Sequence, residues 1–208
     1  FDASFQVTIP NEWELHAPIN IGFTAGMETT KVAHEWLQKG NEIDKILVVS
    51  SHSRDTYRNT VYLATHSQTG QEMELKLETP IKTVNYPVKD FGEPLDLGIK
   101  LDYDFNFLAM AQFGPRKNLP NTVKWFIEEF QNDEVGLVVK TNIAKNCLMD
   151  REKLHHDMKG LMAQYPDRKC KVYLLHGDMT DKEIHSLFEH PQSKAFLTLT
   201  HGEGFGLP

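Results

Sequence analysis

Strand-like and helix-like segments alternate regularly from Asp104 to the end of the 208-residue sequence. Short apolar runs recur there, and each is followed by a polar turn and a segment with apolar residues at helical spacing. This alternation predicts an α/β fold in which helices connect the strands of a parallel sheet. The strands predicted for this part are Phe105–Ala111, Val135–Lys140, Lys171–Leu175 and Ala195–Thr200.

A shorter alternation of the same kind precedes this region. Thr29 or Thr30 is expected to cap a helix that stops at Gly40, and Ser51 or Ser53 is expected to cap the next helix. Further along, Thr180 followed by Glu183 three residues later predicts a capping box. The strands predicted for the first part are Phe5–Ile9, Ile19–Phe23 and Lys45–Ser50.

A stretch with several prolines and glycines separates the two alternating regions and predicts two domains. Residues 1–86 are interpreted as one Rossmann-like domain, with a β-hairpin at residues 60–80. Residues 87–102, which contain several prolines and glycines, are interpreted as a linker. Residues 103–208 are interpreted as a second Rossmann-like domain, and we expect both domains to be incomplete in this sequence.

The last strand runs directly into a turn that contains three glycines and one carboxylate, Gly202-Glu203-Gly204-Phe205-Gly206. Glycines let the backbone approach a ligand closely, and a helix N-terminus after such a turn favours phosphate oxygens. A carboxylate is tolerated beside a phosphate when it has another partner, such as a sugar hydroxyl. The turn therefore indicates a ligand with both a phosphate and a sugar, and the alternative is a packing turn without a ligand.

Two further polar turns follow strands that precede this one. They are Gly114-Pro-Arg-Lys117 and Lys140-Thr-Asn142. Ligands of open α/β sheets bind outside the carboxyl ends of the strands, so the cations of these turns are expected at the same edge as the glycine turn. Arg116 and Lys117 together can neutralise a diphosphate, and the alternative is a solvated pair of turn residues.

The segment Glu203-Gly-Phe-Gly-Leu-Pro208 after an apolar strand resembles the signature of the group 1 glycosyltransferases, which are retaining enzymes with the GT-B fold. Pro10-Asn-Glu-Trp13 and Ile43–Ser50 resemble the acceptor-side domain of the same enzymes. In that family Glu203 corresponds to the first glutamate of an E-x7-E pattern, whose second glutamate would lie beyond Pro208. We therefore expect a fragment with a GT-B-like α/β fold.

The resemblance also implies roles for individual residues. Arg116 and Lys117 would hold the donor diphosphate; the family separates the two cations by several residues, so either can be the essential one. Glu203 would orient the donor sugar. Lys140 and the residues Gly114, Gly202, Gly204, Phe205 and Gly206 would complete the donor site. The residues at the place where the family reads the nucleobase are His176, Gly177, Asp178 and Met179, and Glu28 is a candidate acceptor-side residue.

What the resemblance implies is transfer of a hexose from a nucleotide-diphosphate sugar, expected to be a UDP- or GDP-sugar, to an acceptor hydroxyl with retention. A sugar-nucleotide epimerase of the same fold and a non-catalytic sugar-nucleotide-binding module are the alternatives. Donor hydrolysis without an acceptor would distinguish a transferase from a binding module. The acceptor does not follow from the sequence, and neither does the oligomeric state, with which a homo-oligomer is compatible.

Composition excludes several other classes of function. The formal net charge of −7 argues against a nucleic-acid-binding surface, and no apolar run approaches the length of a membrane span. The two cysteines suggest no disulfide framework, and neither the histidines nor Asp102-Tyr-Asp104 predict a metal site. We therefore expect no cofactor or metal beyond the co-substrate. The expected location is cytoplasmic, and peripheral association with a membrane is compatible with it.

Overall fold

The computed structural model describes residues 1–25, 29–65 and 72–202. These residues form two compact units, Phe1–Val88 and Lys89–Gly202. Each unit contains a four-stranded sheet in which every strand pairs in parallel with its neighbours. The prediction of an α/β fold with two parallel sheets is confirmed.

The sheet of the first unit has the strand order β1-β2-β3-β6. Its strands are β1 (Ala3–Val7), β2 (Ile19–Thr24), β3 (Lys45–Val48) and β6 (Ile81–Thr83). A short 3-10 helix (Pro10–Glu12), α1 (His34–Glu42) and α2 (Ser51–Asn59) lie between them in the chain. An antiparallel pair, β4 (Val61–Thr65) and β5 (Glu72–Lys76), lies within the residues for which a hairpin was predicted.

Both helix starts of this unit differ from the prediction, and so does one helix end. α1 begins at His34 with Ala33 as its N-cap, and Thr29 uses its hydroxyl to donate to the carbonyl of Lys31 instead of capping a helix. Gly40 lies inside α1, where a Cβ would come within 2.9 Å of the Ile46 side chain. Glycine is thus present for close packing of helix on strand and does not end the helix. The cap of α2 is Ser50, whose hydroxyl accepts from the amide of Ser53.

The sheet of the second unit has the order β10-β7-β8-β9. Its strands are β7 (Asn106–Met110), β8 (Gly136–Lys140), β9 (Lys171–Leu175) and β10 (Ser193–Phe196), and its helices are α3 (Leu119–Phe130), α4 (Leu148–Met162) and α5 (Asp181–Phe188). The capping box at Thr180 and Glu183 is confirmed at the start of α5.

Both faces of this second sheet are covered. Side chains of α3 and α4, among them Val123, Ile127 and Met158, pack on one face against Leu137 and Val139. On the other face, Leu187 of α5 packs against Leu108 and Val138. Burying an aliphatic side chain of this size stabilises a fold by about 1.5–3 kcal/mol, so the two clusters fix the helices firmly on the sheet.

The stretch predicted as a linker, residues 87–102, has no helix or strand and lies mostly against the second unit. Leu97, Ile99 and Leu101 pack into the cluster around Leu108, and the amide of Leu95 donates to Ser186 Oγ at 2.8 Å. These contacts attach the stretch from Lys89 onward to the second unit.

Strand β10 ends at Phe196, four residues before the predicted Thr200. The amide of Leu197 still donates to the carbonyl of Leu108 at 2.8 Å, but the following residues bond to the loop after β7. The apolar and β-branched sequence predicted a longer strand because sequence alone does not show this alternative set of partners.

Gly22 of β2 packs closely against the buried ring of Trp13, and this contact can be tested by mutation. Trp13 is 1 % exposed, and a Cβ added at Gly22 of β2 would lie 2.4 Å from its ring. We expect Gly22→Ala to lower the free energy of unfolding of this unit by about 1–3 kcal/mol, because overpacked cores lose roughly that much. Urea unfolding followed by circular dichroism measures the effect.

The matched control is Gly160→Ala in α4, where an added Cβ meets nothing within 4 Å. This variant should be neutral or more stable by up to about 1 kcal/mol, since alanine favours helix over glycine. Unchanged stability of Gly22→Ala would show that the Trp13 ring moves aside without cost.

Candidate functional site

The strand order of the second unit reverses direction between β7 and β10, which makes a topological switch point there. The connections from β7 to β8 and from β8 to β9 pass over the face covered by α3 and α4, whereas the connection from β9 to β10 passes over the face covered by α5. Because β10 returns to the other side of β7, the strand order reverses between these two strands. Ligands of open α/β sheets bind near such a reversal, outside the carboxyl ends of the strands.

The loop after β7 is bonded to the segment after β10. Arg116 Nη1 donates to the carbonyl of Gly202 at 2.7 Å, and the carbonyl of Arg116 accepts from the amide of His201 and from Thr200 Oγ1, both at 3.0 Å. Asn118 Nδ2 adds a bond to the carbonyl of Leu199 at 3.0 Å. The predicted residues Arg116 and Gly202 are thus brought together where the glycine turn begins.

Asn118 joins this loop to α3. Its φ of 52° lies in the left-handed region, which asparagine adopts more readily than most residues. The main chain turns sharply there, and α3 starts at Leu119. The predicted residue Gly114 precedes this turn; its carbonyl accepts from the amide of Asn118 at 3.2 Å, and an added Cβ would meet nothing within 4 Å. The start of α3 therefore lies directly after the two cations.

Lys117 and Lys140 line one cleft at the carboxyl ends of β7 and β8. Its volume is about 300 Å³, and its other lining residues are Met110, Ala111, Gln112, Thr141, Asn142 and Ile184. Two bonds hold its walls together: the amide of Phe113 donates to the carbonyl of Asn142 at 2.7 Å, and Gln112 Nε2 donates to the carbonyl of Ile143 at 2.7 Å. The structure therefore unites two of the predicted cations in one concave surface.

Lys140 is half-buried at the end of β8, and its Nζ donates to the carbonyl of Gly177 at 2.6 Å. Burial lowers the pKa of its ammonium group, and the neighbouring carboxylate of Asp178 opposes that shift. A partly desolvated ammonium interacts with a nearby anion more strongly than a fully hydrated one. This position therefore favours contact with a negatively charged ligand.

The residues predicted near the nucleobase have clear contacts within the protein. His176 Nε2 donates to Asp150 Oδ1 at 3.2 Å, and both side chains are only 5 % exposed. Asp178 accepts a hydrogen bond from Asn146 Nδ2, Gly177 has a φ of +117°, and Met179 packs into the cluster around Leu108. Contact of these four residues with a base stays a prediction.

Asp150 was not predicted from the sequence, although it contacts the predicted residue His176. Its carboxylate accepts from the amides of Ile143, Ala144 and Lys145, which lie in the loop after β8. Burial by itself would raise the pKa of this carboxyl group, but these amides together with His176 hold the pKa well below its usual range. An aspartate in the first turn of a helix is favoured by the helix dipole alone, so its presence there does not indicate a partner at His176.

Several predicted site residues lie outside the described part of the chain. They are Glu28, Glu203, Gly204, Phe205 and Gly206. Within residues 1–25, 29–65 and 72–202, no group of three or more histidine, cysteine, aspartate or glutamate side chains could hold a metal ion. None of the helices in these ranges is long and apolar enough to cross a membrane.

Solved structures share the arrangement of this chain. An E. coli trehalose-6-phosphate synthase bound with UDP-2-fluoro glucose matches with a TM-score of 0.55 and 13 % identity, over 89 % of this chain and 48 % of that one. The chain has the GT-B-like fold. An apo structure of OtsA gives a TM-score of 0.53 at 12 % identity, covering 89 % of this chain and 47 % of its own.

A trehalose-6-phosphate synthase from Burkholderia multivorans matches with a TM-score of 0.52 and 9 % identity, over 89 % of this chain and 46 % of that one. The chain thus spans about half the length of these structures. At such identities the likeness establishes the fold, as the resemblance to the group 1 glycosyltransferases implied. No family model matches the sequence, and no curated protein matches it at a significant level.

The depressed pKa of Asp150 predicts a pH dependence of stability. Because the folded pKa lies below the unfolded value of about 3.9, the carboxylate stabilises the fold fully above that value and loses its effect as the pH falls toward the folded pKa. The difference in unfolding free energy between wild type and Asp150→Asn should be constant at neutral pH and shrink below about pH 4.

Urea unfolding, repeated at pH values from about 7 down to about 2 so that the titration of carboxylates is covered, measures this difference. The control is Asp157→Asn on the same helix, which removes only a surface pair with Lys153 and should cost about 0.5 kcal/mol or less. A wild-type-to-Asp150→Asn difference that stays constant down to the lowest pH would contradict the depressed pKa.

Proposed function

We propose that the chain takes part in transfer of a hexose from a nucleotide-diphosphate sugar to an acceptor hydroxyl, with retention at the anomeric carbon. The observation that carries this proposal is the cleft at the carboxyl edge of the second sheet, where Lys117 and Lys140 meet. Two cations at one concave edge are what a diphosphate requires, and the chain as a whole is anionic with a formal charge of −7.

The proposed roles follow the charge that develops in the reaction. The bond from the anomeric carbon to the diphosphate oxygen breaks, and the acceptor oxygen bonds to the same face of that carbon. Lys117, Lys140 and Arg116 stabilise the departing diphosphate, whose negative charge increases as the bond loosens. The proton of the acceptor hydroxyl goes to an oxygen of the leaving diphosphate, so no side chain has to act as nucleophile.

The glycine turn contributes the remaining parts of the proposed donor site. Gly202 lies beside Arg116, and the residues that follow it would supply backbone amides to the diphosphate. Glu203 would orient hydroxyl groups of the donor sugar. In this proposal basic side chains perform the charge neutralisation that a metal ion performs elsewhere, so binding requires no magnesium. The acceptor, the oligomeric state and the cytoplasmic location stay predictions.

Removal of the two lysines tests the donor site. We expect Lys117→Ala and Lys140→Ala each to weaken nucleotide binding about tenfold or more, because one charge-assisted hydrogen bond contributes about 1.5–3 kcal/mol. UDP, GDP, ADP and dTDP are compared by isothermal titration calorimetry, with and without magnesium. Slow donor hydrolysis without an acceptor is then measured with the glucose or mannose nucleotide-sugar of the nucleotide that binds best.

The control is Lys124→Ala on α3, which removes the same charge from an exposed pair with Glu128. It should leave nucleotide affinity unchanged. Equal affinity of the wild type and the Lys117→Ala/Lys140→Ala double variant would remove the roles assigned to these lysines. Selective binding without donor hydrolysis would favour a sugar-nucleotide-binding module over a transferase.

A further inference from the structure

One buried carboxylate joins the loop after β8, which borders the cleft, to the loop after β9. The structure assigns Asp150 as a positioning residue of the donor site: it fixes the loop after β8 and, through His176, the loop after β9, whose Gly177 accepts a hydrogen bond from Lys140, a lining residue of the cleft. This inference rests on the proposed function for its role in binding, and its contacts are independent of that function.

The first step is the loop after β8. Asp150 Oδ2 accepts from the amides of Ala144 at 2.8 Å and Lys145 at 2.9 Å, and Oδ1 accepts from the amide of Ile143 at 2.9 Å. Successive amides that point to one place form an anion-binding nest. Here the carboxylate of the protein occupies the nest. These three amides are therefore already bonded within the protein, and the phosphates have to be bound by other groups of the site.

The second step leads from Asp150 to the loop after β9. Asp150 Oδ1 also accepts from His176 Nε2 at 3.2 Å, and both side chains are 5 % exposed. His176 directly follows β9, and the next residue, Gly177, has a φ of +117° that side chains disfavour. The hydrogen bond from His176 to Asp150 thus holds the first residue of a turn whose path depends on a glycine.

The third step leads back to the cleft. The carbonyl of Gly177 accepts from Lys140 Nζ at 2.6 Å, and Asp178 accepts from Asn146 Nδ2. The two loops are therefore joined at three points, the Asp150–His176, Lys140–Gly177 and Asn146–Asp178 contacts. Lys140 is directed by an acceptor whose position depends on the central, buried contact.

Asparagine at position 150 would keep the size of the side chain but change its hydrogen bonding. One carboxylate oxygen becomes an NH₂ group, which donates and therefore opposes the amides of Ala144 and Lys145. The loop would lose at least one bond of its nest, and the side chain of residue 150, no longer held by these amides, would hold His176 and with it Gly177 less firmly. Lys140 would then face the cleft for only part of the time.

The first measurement uses no ligand. Amide hydrogen exchange of the full chain, read by NMR at neutral pH, should show protection of Ile143, Ala144 and Lys145 falling about tenfold or more in Asp150→Asn. The control Asp157→Asn, on the same helix but paired with Lys153 at the surface, should leave these amides unchanged.

The second measurement is nucleotide affinity by calorimetry, with the nucleotide that the wild type binds best. Asp150→Asn should weaken binding about tenfold, because a charge-assisted hydrogen bond from Lys140 to the ligand is worth about that factor or more and would form for only part of the time. His176→Gln, whose amide nitrogen can donate to Asp150 in place of Nε2, should retain most of the affinity. His176→Leu should lose as much affinity as Asp150→Asn, which a merely structural role would not require once both variants fold.

The outcomes separate this inference from the proposed function. Unchanged amide exchange in Asp150→Asn overturns the positioning role whatever the affinity. Altered exchange with unchanged nucleotide affinity in both Asp150→Asn and His176→Leu overturns it as well. If the wild type binds none of the nucleotides while exchange responds as expected, the proposed function fails and the donor-site role fails with it, whereas the joining of the two loops stands.

Discussion

Parallel pairing of β7 with both β8 and β10 determines where the polar residues of the second unit meet. All strands of the sheet point the same way, so every connecting turn that follows a strand lies at one edge. The core positions in the strands are apolar, and the polar and charged residues are concentrated in these turns. The strand order is therefore sufficient to bring the turn that contains Arg116 and Lys117 to the same edge as Lys140.

The turns themselves need fixing, because a loop of polar residues has little apolar surface to bury. Arg116 and Asn118 fix the loop after β7 by bonds to Gly202 and Leu199. Asp150 fixes the loops after β8 and β9. Charged and polar side chains thus stabilise the backbone at the same edge where the cleft lies. Of the lysines that line the cleft, Lys117 lies on one of these loops and Lys140 lies at the end of β8.

Local patterns in the sequence were sufficient to predict much of this fold. Alternating apolar runs located the strands, and Thr180 with Glu183 located the start of α5, because both signals arise from neighbouring residues. The location of Lys117 and Lys140 at one edge of the sheet followed from the predicted topology, since the turns after parallel strands lie at the same edge.

Features that depend on distant residues could not be predicted. The role of Gly40 depends on Ile46, which packs against it from β3, and the early end of β10 depends on bonds to the loop after β7. The pair of Asp150 and His176 joins residues that are 26 positions apart, and no local sequence pattern links the two. Such contacts follow from the packing of elements and leave no periodic trace in the sequence.

The central claim is that the carboxyl edge of the second sheet binds a nucleotide diphosphate. The most direct test is an NMR titration of the ¹⁵N-labelled chain with the nucleotide diphosphates. We expect the largest shifts at the amides of Lys117, Thr141 and Gly202. Shifts confined instead to the cavity of about 400 Å³ lined by Leu95, Ser186 and His190, near the amino end of β10, would contradict it.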